Sequence, residues 1–425
     1  MCVCVEKKDH AGRSLGIVYN FLNIDSIVDF LLSIGMKPFF ELGFMPSCLA
    51  SGDTVCFHYR GNITPPKDYG LWNDFIRAFV RHCEERYGAE EVRQWFFEVW
   101  NEPNLAFFFT GTQAQYFELY KNTARAVKAV DPELRVGGPA TSINAWLPDF
   151  IGYCEKNSVP LDFVSTHHYP TDDPLWKNSD LTMEEFFTSM GDQFGKYERG
   201  ILKKMTAKAH GEAGKYPLYY TEWNTSAMNG DDQHDQCYAS SMIAKVLADN
   251  DGLVQGYSYW TFTDIFEEGS QLPGAFHGGF GLQNVYGVEK PAYRLFQLFH
   301  GLGFERIPVE SSSPAANVEV LATKTEQGLR LVAFNHNVPG EPMEDEEVQI
   351  GLSGFGTPKK VTLYRIDEDH VNPKKAWQEM GAPEYLNAAQ VNALRGASRL
   401  EPEEGSPDLR FTVAKYGVVA ADIEL

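Results

Sequence analysis

The chain has 425 residues, 43% of them hydrophobic and 13% aromatic, and a formal net charge of −21. So many aromatic side chains exclude a solvated coil, and the length exceeds one compact core and implies more than one domain. The negative balance argues against nucleic acid or an anionic membrane surface as partner, because both would repel the chain.

In chain order, VEKKDHAGRSLGIVYN (5–20) reads as a loop and residues 24–34 as a helix. KPFFEL (37–42) follows as a strand. Trp72, Phe75, Ile76, Phe79, Val80 and Cys83 fall on one face at helical spacing. RQWFFEVW (93–100) is a continuous apolar run of the kind found in strands buried on both faces. A helix around 113–130 leads to strands at LRVGGPA (134–140) and LDFVSTHHY (161–169), then to a helical stretch over 182–210. PLYYTEWN (217–224) is a strand, 236–249 a helix, QGYSYWTF (255–262) a strand, and 291–302 a helix opening on Pro291.

Six β-then-α units in a row imply a parallel sheet, in a doubly wound or a (β/α)₈ arrangement. No glycine-rich nucleotide fingerprint follows a strand, which weighs against the doubly wound form. Polar and aromatic residues gather where strands end: Asn101-Glu102, His167-His168-Tyr169, Glu222-Trp223-Asn224 and Trp260. Barrel enzymes place their chemistry on that rim. From residue 306 the pattern changes to short alternating strands: VEVLAT (318–323), LRLVAFNH (329–336), EVQIGL (347–352), KVTLYRI (360–366) and 409–425, with a partly helical interruption near 374–400. The expected organisation is therefore an α/β barrel domain over 1–305 and a β-sandwich over 306–425.

The seven cysteines are odd in number, scattered and without a CxxC pair, so neither a disulfide framework nor a structural zinc site is expected. Thiols of this kind fit a reducing compartment. No run of 18 apolar residues predicts a transmembrane helix. The opening MCVCVEKKDHAGRS lacks the apolar core of a secretory signal, and the expected localisation is cytoplasmic.

Glu102 and Glu222 carry the chemical argument. Each lies just past a buried strand, and 120 residues separate them, about three βα units, so in a barrel they face each other across the mouth. Two facing carboxylates are what glycoside hydrolysis requires: one protonates the leaving oxygen and the other attacks the anomeric carbon or activates water. Asn101 and Glu102 are adjacent, and strand alternation would send them to opposite faces, so both reach the pocket only if the chain bends there. The same alternation sends His167 and His168 apart, so the pair is not expected to bind one metal ion with His234 or His277. Phe107, Phe108 and Phe109 read equally as a pocket wall or as helix contacts, and Trp260 as core or as a stacking surface for a sugar.

FEVWNEPNL and YYTEWNTS together resemble glycoside hydrolase family 39, the family of β-xylosidases and α-L-iduronidases. IDSIVDFLLSIGMKPFFELGFMP, GNITPPKDY, RVGGPATS, DFVSTHHYPTD and SYWTFTDIFEE resemble its β-xylosidase branch, and the likeness spans roughly 17–305. The resemblance implies a (β/α)₈ barrel with an attached β-sandwich, and a retaining mechanism that needs no cofactor or metal. Glu102 falls at the acid/base position after the fourth strand and Glu222 at the nucleophile position after the seventh. Retention requires the two carboxyl groups to sit about 5–5.5 Å apart. The resemblance also assigns Asn101, His167, Tyr169 and Trp260, with Glu267 or Glu268, to the subsite for the terminal sugar. The implied activity is an exo-acting β-xylosidase on short xylo-oligosaccharides. An α-L-iduronidase or arabinosidase activity, or an inactive sugar-binding relative, is the alternative.

On this alignment KPFFEL is the third barrel strand, and strands one and two have no counterpart in the chain. Six strands leave two raw edges. The expectation is an N-terminally incomplete barrel: a truncated product or misassigned start, a homo-oligomer whose partner subunit covers the edges, or a degenerate relative.

Overall fold

The computed structural model describes residues 3–172, 195–266, 268, 273–313 and 317–425, with residues 184, 185, 188, 191 and 192. Glu267 and most of the opening half of the helix expected over 182–210 lie outside the described residues. The described helix of that stretch is Ile201–Ala213.

Six parallel strands follow one another across the sheet in sequence order: Phe39–Glu41, Phe96–Glu98, Arg135–Thr141, Phe163–His168, Leu218–Trp223 and Gly256–Tyr259. Their order is that of a half-barrel, with no strand pairing among the described residues on the outer side of the first or the last. Burial follows position. Every residue of the central strand Phe163–His168 is buried, whereas the two edge strands keep partial exposure.

Helices cover the outer face. Tyr69–Tyr87 buries the six residues whose spacing announced it, and Asp68 caps its start by accepting from the Leu71 N–H at 2.9 Å. Gln113–Lys128 begins with a capping box between Thr112 and Gln115. The helix Leu147–Lys156 was not anticipated, although Leu147, Phe150 and Cys154 recur on its buried face behind Pro148. The segment expected as a loop is a β-hairpin, Cys4–Lys8 with Ser14–Tyr19. Its turn is held by the Asp9 carboxylate, which accepts from the N–H groups of Ala11 and Arg13, and by Gly12 at φ 79°. The following helix Leu22–Ser33 buries only Asp25 and Val28 and leaves Leu22, Ile27 and Phe30 at 70%, 62% and 61% exposure.

The inward side chains form layers. Phe39, Phe96, Phe163 and Tyr219, one from each of four strands, pack ring against ring with centroids 4.7–5.7 Å apart. The Arg135 guanidinium lies 3.7 Å from the Phe96 ring centre. Two residues further along those strands come Glu41, Glu98, Ser165 and Thr221, by the period of two, and His167 stands two residues beyond Ser165. Glu41 and Glu98 are direct partners in the register.

The C-terminal part is antiparallel. One sheet runs Glu305–Ile307, Val318–Thr325, Gly328–Asn335, Val418–Glu424, Lys360–Ile366, Glu403–Glu404, and a two-stranded sheet pairs Glu346–Gln349 with Arg410–Val413. Alternation along Val418–Glu424 serves both sides. Val418 and Ala420 join Met242 and Ile243 of the barrel helix Cys237–Asp249, while Val419, Ala421 and Ile423 join Phe411 and Val413. The interruption holds two helices, Pro373–Glu379 and Ala388–Ala397.

The rim loops are tied by a buried charge cluster. Lys290 Nζ lies 2.6 Å from Asp235 and 2.8 Å from Asp264, and all three side chains are 0% exposed. Burial disfavours the charged amine, but the two carboxylates outweigh it and raise its pKa. Lys290→Met leaves two buried carboxylates without their cation. Equilibrium urea unfolding is expected to show a loss of about 3–5 kcal/mol; a loss within about 0.5 kcal/mol would contradict this role for the cluster.

Candidate active site

The strand Phe96–Glu98 does not simply run on into the site. Val99 and Glu102 keep bonding the next strand, to the carbonyls of Gly137 and Ala140, while Trp100 and Glu102 take left-handed backbone angles of φ 70° and 44°. Such residues cost about 1–3 kcal/mol each and persist where the surroundings hold them. Trp100 is held: its ring is fully buried and its indole N–H donates to the Phe108 carbonyl at 3.0 Å. This is the bend needed to turn Glu102 inward. Phe109 packs on Trp100 and Tyr116 as core, and Phe108 joins Phe44 and Phe57 under the neighbouring loop.

Glu102 and Glu222 do meet. One carboxylate oxygen from each and a ring nitrogen of His167 lie within 4.8 Å of one another. His167 Nδ1 is 3.1 Å from Glu102 Oε1 and 3.7 Å from Glu222 Oε2. The Tyr169 hydroxyl donates to Glu222 Oε1. Glu102 is 6% exposed and His167 1%. The register of Phe163–His168 against Leu218–Trp223 slips between Thr166 and His167, so that His167 pairs with Glu222. That irregularity brings the imidazole level with the carboxylates.

The electrostatics follow from crowding carboxylates in a poorly solvated place. Burial pushes Glu222 up to about 7, with Glu102 adding to it, against the opposing His167 charge and the Tyr169 hydroxyl. Burial acts to lower His167, but Glu222, Glu102 and Glu98 outweigh it and carry it up to about 9. Burial, then the Glu222 and Glu102 charges, take Glu268 up to about 8. Burial also raises Tyr169 and Asp172 well above their ordinary values.

The remaining expected residues divide. Asn101 is half-buried, and its Oδ1 is shielded from solvent yet has no hydrogen-bond partner among the described residues. Trp260 follows the last strand, half-buried, with its N–H on the Trp223 carbonyl and its ring edge-on to Phe266. Glu268 is close enough for the Glu222 and Glu102 charges to shift it, and Glu267 lies outside the described residues. His168 points away from the site: its ring stacks on Tyr220 at 3.7 Å, and Nε2 is 2.5 Å from the Tyr257 hydroxyl. His234 bonds the Gly278 carbonyl and His277 the Gly274 carbonyl, so neither joins His167. Glu102, His167 and Glu222 are the grouping of metal-ligand type among the described residues. A metal needs the imidazole lone pair, however, and the surrounding carboxylates favour a protonated ring here.

Sequence reasoning missed Glu41, Glu98 and Thr221. Thr221 Oγ1 donates to Glu98 Oε1 at 2.8 Å and lies 3.2 Å from His167 Nε2. Crowding by protein and then the Glu98 carboxylate push the Glu41 carboxyl well above its ordinary range, although on its edge strand the residue keeps exposed surface. The signal was present: both KPFFEL and WFFEVW carry a glutamate two positions after an inward phenylalanine.

Residues 3–408 match the sequence profile of Glycosyl hydrolases family 39. The chain is 49% identical over 408 residues to a beta-xylosidase of Caldicellulosiruptor saccharolyticus, an alignment covering 96% of this chain and 81% of that protein. A beta-xylosidase of Geobacillus stearothermophilus is 37% identical over 421 residues, with the same two coverages. Among solved structures, a GH39 beta-xylosidase from Caulobacter crescentus superposes with a TM-score of 0.79 at 33% identity, covering 99% of this chain and 86% of that one. A half-barrel whose strand ends hold the two glutamates and His167, and a sequence that aligns along nearly its whole length, lead to one assignment: the chain belongs to glycosyl hydrolase family 39.

Proposed function

We propose that the chain is a retaining, exo-acting β-xylosidase that removes xylose from short xylo-oligosaccharides. Glu222 attacks the anomeric carbon as the bond to the leaving oxygen breaks, and Glu102 gives that oxygen its proton. Glu102 then takes a proton from water, the water oxygen bonds the anomeric carbon, and the bond to Glu222 breaks. The observation that carries this reading is the separation of the pair. One oxygen of each carboxylate lies within 4.8 Å of the other, which suits direct attack better than the wider spacing, about 6.5–9.5 Å between the groups, with which an inverting pair admits a water. The unpartnered Asn101 Oδ1 supports a hydrogen bond to a sugar hydroxyl beside the anomeric carbon, and Trp260 supports stacking on the ring. The similar beta-xylosidases favour xylose over other sugars.

Proton NMR of the first-formed product from an aryl β-xyloside tests the mechanism. β-Xylose is expected to appear before mutarotation, and α-xylose first would contradict it. A uronate-cleaving activity is disfavoured by charge: among the groups acting most strongly on Glu222, Glu102 and Glu98 are anionic and His167 is the one cation. Attack requires ionised Glu222, so raising its pKa moves the loss of activity to higher pH. The acid limb of kcat/KM is expected nearer 7 than the ordinary carboxylate value of about 4.3. A limb at or below the ordinary value would contradict the burial argument.

The free thiols Cys48, Cys56, Cys83, Cys154 and Cys237 support a reducing, cytoplasmic setting for this activity.

A further inference from the structure

Beneath the carboxylate pair lies a line of three groups, two of them buried and Thr221 partly so, that the hydrolytic steps do not use. Glu98, 2% exposed, accepts the Thr221 hydroxyl hydrogen at 2.8 Å. Thr221 Oγ1 is 3.2 Å from His167 Nε2, and His167 Nδ1 is 3.1 Å from Glu102 Oε1. A threonine hydroxyl has one hydrogen, and an ionised carboxylate can only accept. The hydrogen of Thr221 is therefore committed to Glu98, and Oγ1 has only lone pairs to offer His167. Nε2 must then carry a hydrogen of its own, which leaves Nδ1 as the titrating position of the ring, facing Glu102.

We propose that Glu98, acting through Thr221, is a positioning residue that holds His167 as an Nε2–H donor, so that His167 Nδ1 and Glu102 Oε1 share one exchangeable proton. The inference rests on the hydrolytic reading of Glu102. The exchange is balanced: when the proton passes from Nδ1 to Oε1, the imidazolium becomes a neutral Nε2–H imidazole and the Glu102 carboxylate becomes a neutral acid. The leaving oxygen can then draw on that proton. The negative charge of Glu98 keeps the proton in the pair, and the hydroxyl fixes which nitrogen offers it.

The other groups facing this line act in known senses. Glu222 and Glu102 favour the protonated ring from above. Asp172 and Tyr169 lie beside it and are themselves raised, as is Glu268 across the mouth. Glu41, paired with Glu98 in the sheet, is pushed toward its neutral acid, with crowding by protein first and the Glu98 charge second. His168 is held well below its ordinary value by burial and by His167, and stays neutral behind the strand. Burial also raises Glu98, while the His167 charge and the Thr221 hydroxyl oppose it. Protonating Glu98 at low pH would free the Thr221 hydrogen and uncouple the line.

Two readouts test this on the full chain. In pH profiles of kcat/KM on an aryl β-xyloside with a poor leaving group, Glu98→Gln and Thr221→Val are each expected to move the basic limb down by about one unit. Thr221→Ser should return it to the wild-type position. Activity loss with an unmoved basic limb in both folded variants would overturn the proposal, and Thr221→Val, nearly isosteric, decides if Glu98→Gln fails to fold. The second readout is the nitrogen-15 spectrum of His167 in resting enzyme, which needs no turnover. A permanently protonated Nε2 with a titrating Nδ1 is expected; a neutral ring protonated at Nδ1 alone would overturn the proposal. Enzyme inactive on every xyloside but showing the expected His167 spectrum would instead sink the β-xylosidase reading and leave the tautomer assignment standing.

Discussion

Glu222→Ala is expected to lower kcat on any β-xyloside by at least about 10⁴-fold. The loss should be the same for good and poor leaving groups, because the missing step is formation of the bond to the anomeric carbon. Added azide should not restore the normal β-configured product. The small side chain opens space on the face that Glu222 occupied, so an anion entering there would give the α-configured azide. Folding should be little disturbed, because the substitution removes a raised, crowded carboxylate from beside Glu102 and His167. Kinetics with aryl β-xylosides check the loss, and thermal unfolding checks the fold. A variant within about tenfold of wild type, against the loss such a nucleophile accounts for, would remove Glu222 from the mechanism.

Glu102→Ala should behave differently, and the contrast separates the two roles. Without the acid, substrates with poor leaving groups lose about 10²–10⁴-fold in kcat/KM. An aryl xyloside whose phenolate leaves unaided is expected to lose less than about tenfold in the same parameter. Its kcat should nevertheless fall, because the second half-reaction lacks the base that activates water. Azide needs no base, so it should raise turnover and yield β-xylosyl azide. The structure gives this variant room to work: Glu102 is reached by a bent chain rather than by a continuous strand, and its partner His167 remains anchored through Thr221. Equal losses for good and poor leaving groups would contradict the acid/base role.

Much of this arrangement was legible in the sequence, for physical reasons that can be named. The six parallel strands are apolar runs of strand length alternating with amphipathic helices, and burial on both faces makes such runs continuous. The need for a bend at Asn101-Glu102 followed from alternation alone, and the left-handed Trp100 and Glu102 supply it. The opposite orientations of His167 and His168 followed in the same way. Three things did not come through. The N-terminal hairpin is mostly exposed and lacks a clean apolar alternation, and its turn depends on one aspartate side chain. The helix Leu147–Lys156 is short and opens on a left-handed Trp146, so its three buried positions were easily overlooked. Glu98 sits inside the apolar run WFFEVW, where a glutamate reads as an interruption of a buried strand. Its meaning depends on Thr221, 123 positions away, and on a register slip between Thr166 and His167 that no local pattern announces.

The layered interior of the half-barrel bears on the same point. The floor of four aromatic rings and the carboxylate layer above it are built from the described strands alone. The site therefore draws its contacts from the described strands: Thr221 and Glu98 hold His167, and His167 with Tyr169 holds the carboxylates. The Lys290 cluster fixes the loop that carries Asp264, four residues from Trp260 and from Glu268.

The central claim is that Glu222 bonds the sugar while Glu102 handles the proton. The most direct test is to inactivate the enzyme with a 2-deoxy-2-fluoro-β-xyloside bearing an activated leaving group, digest it, and sequence the labelled peptide by mass spectrometry. The expected result is one fluoroxylosyl ester per chain, on Glu222 within the peptide that contains YYTEWNTS. Time-dependent inactivation with the label on Glu102 or on any other residue would contradict the account.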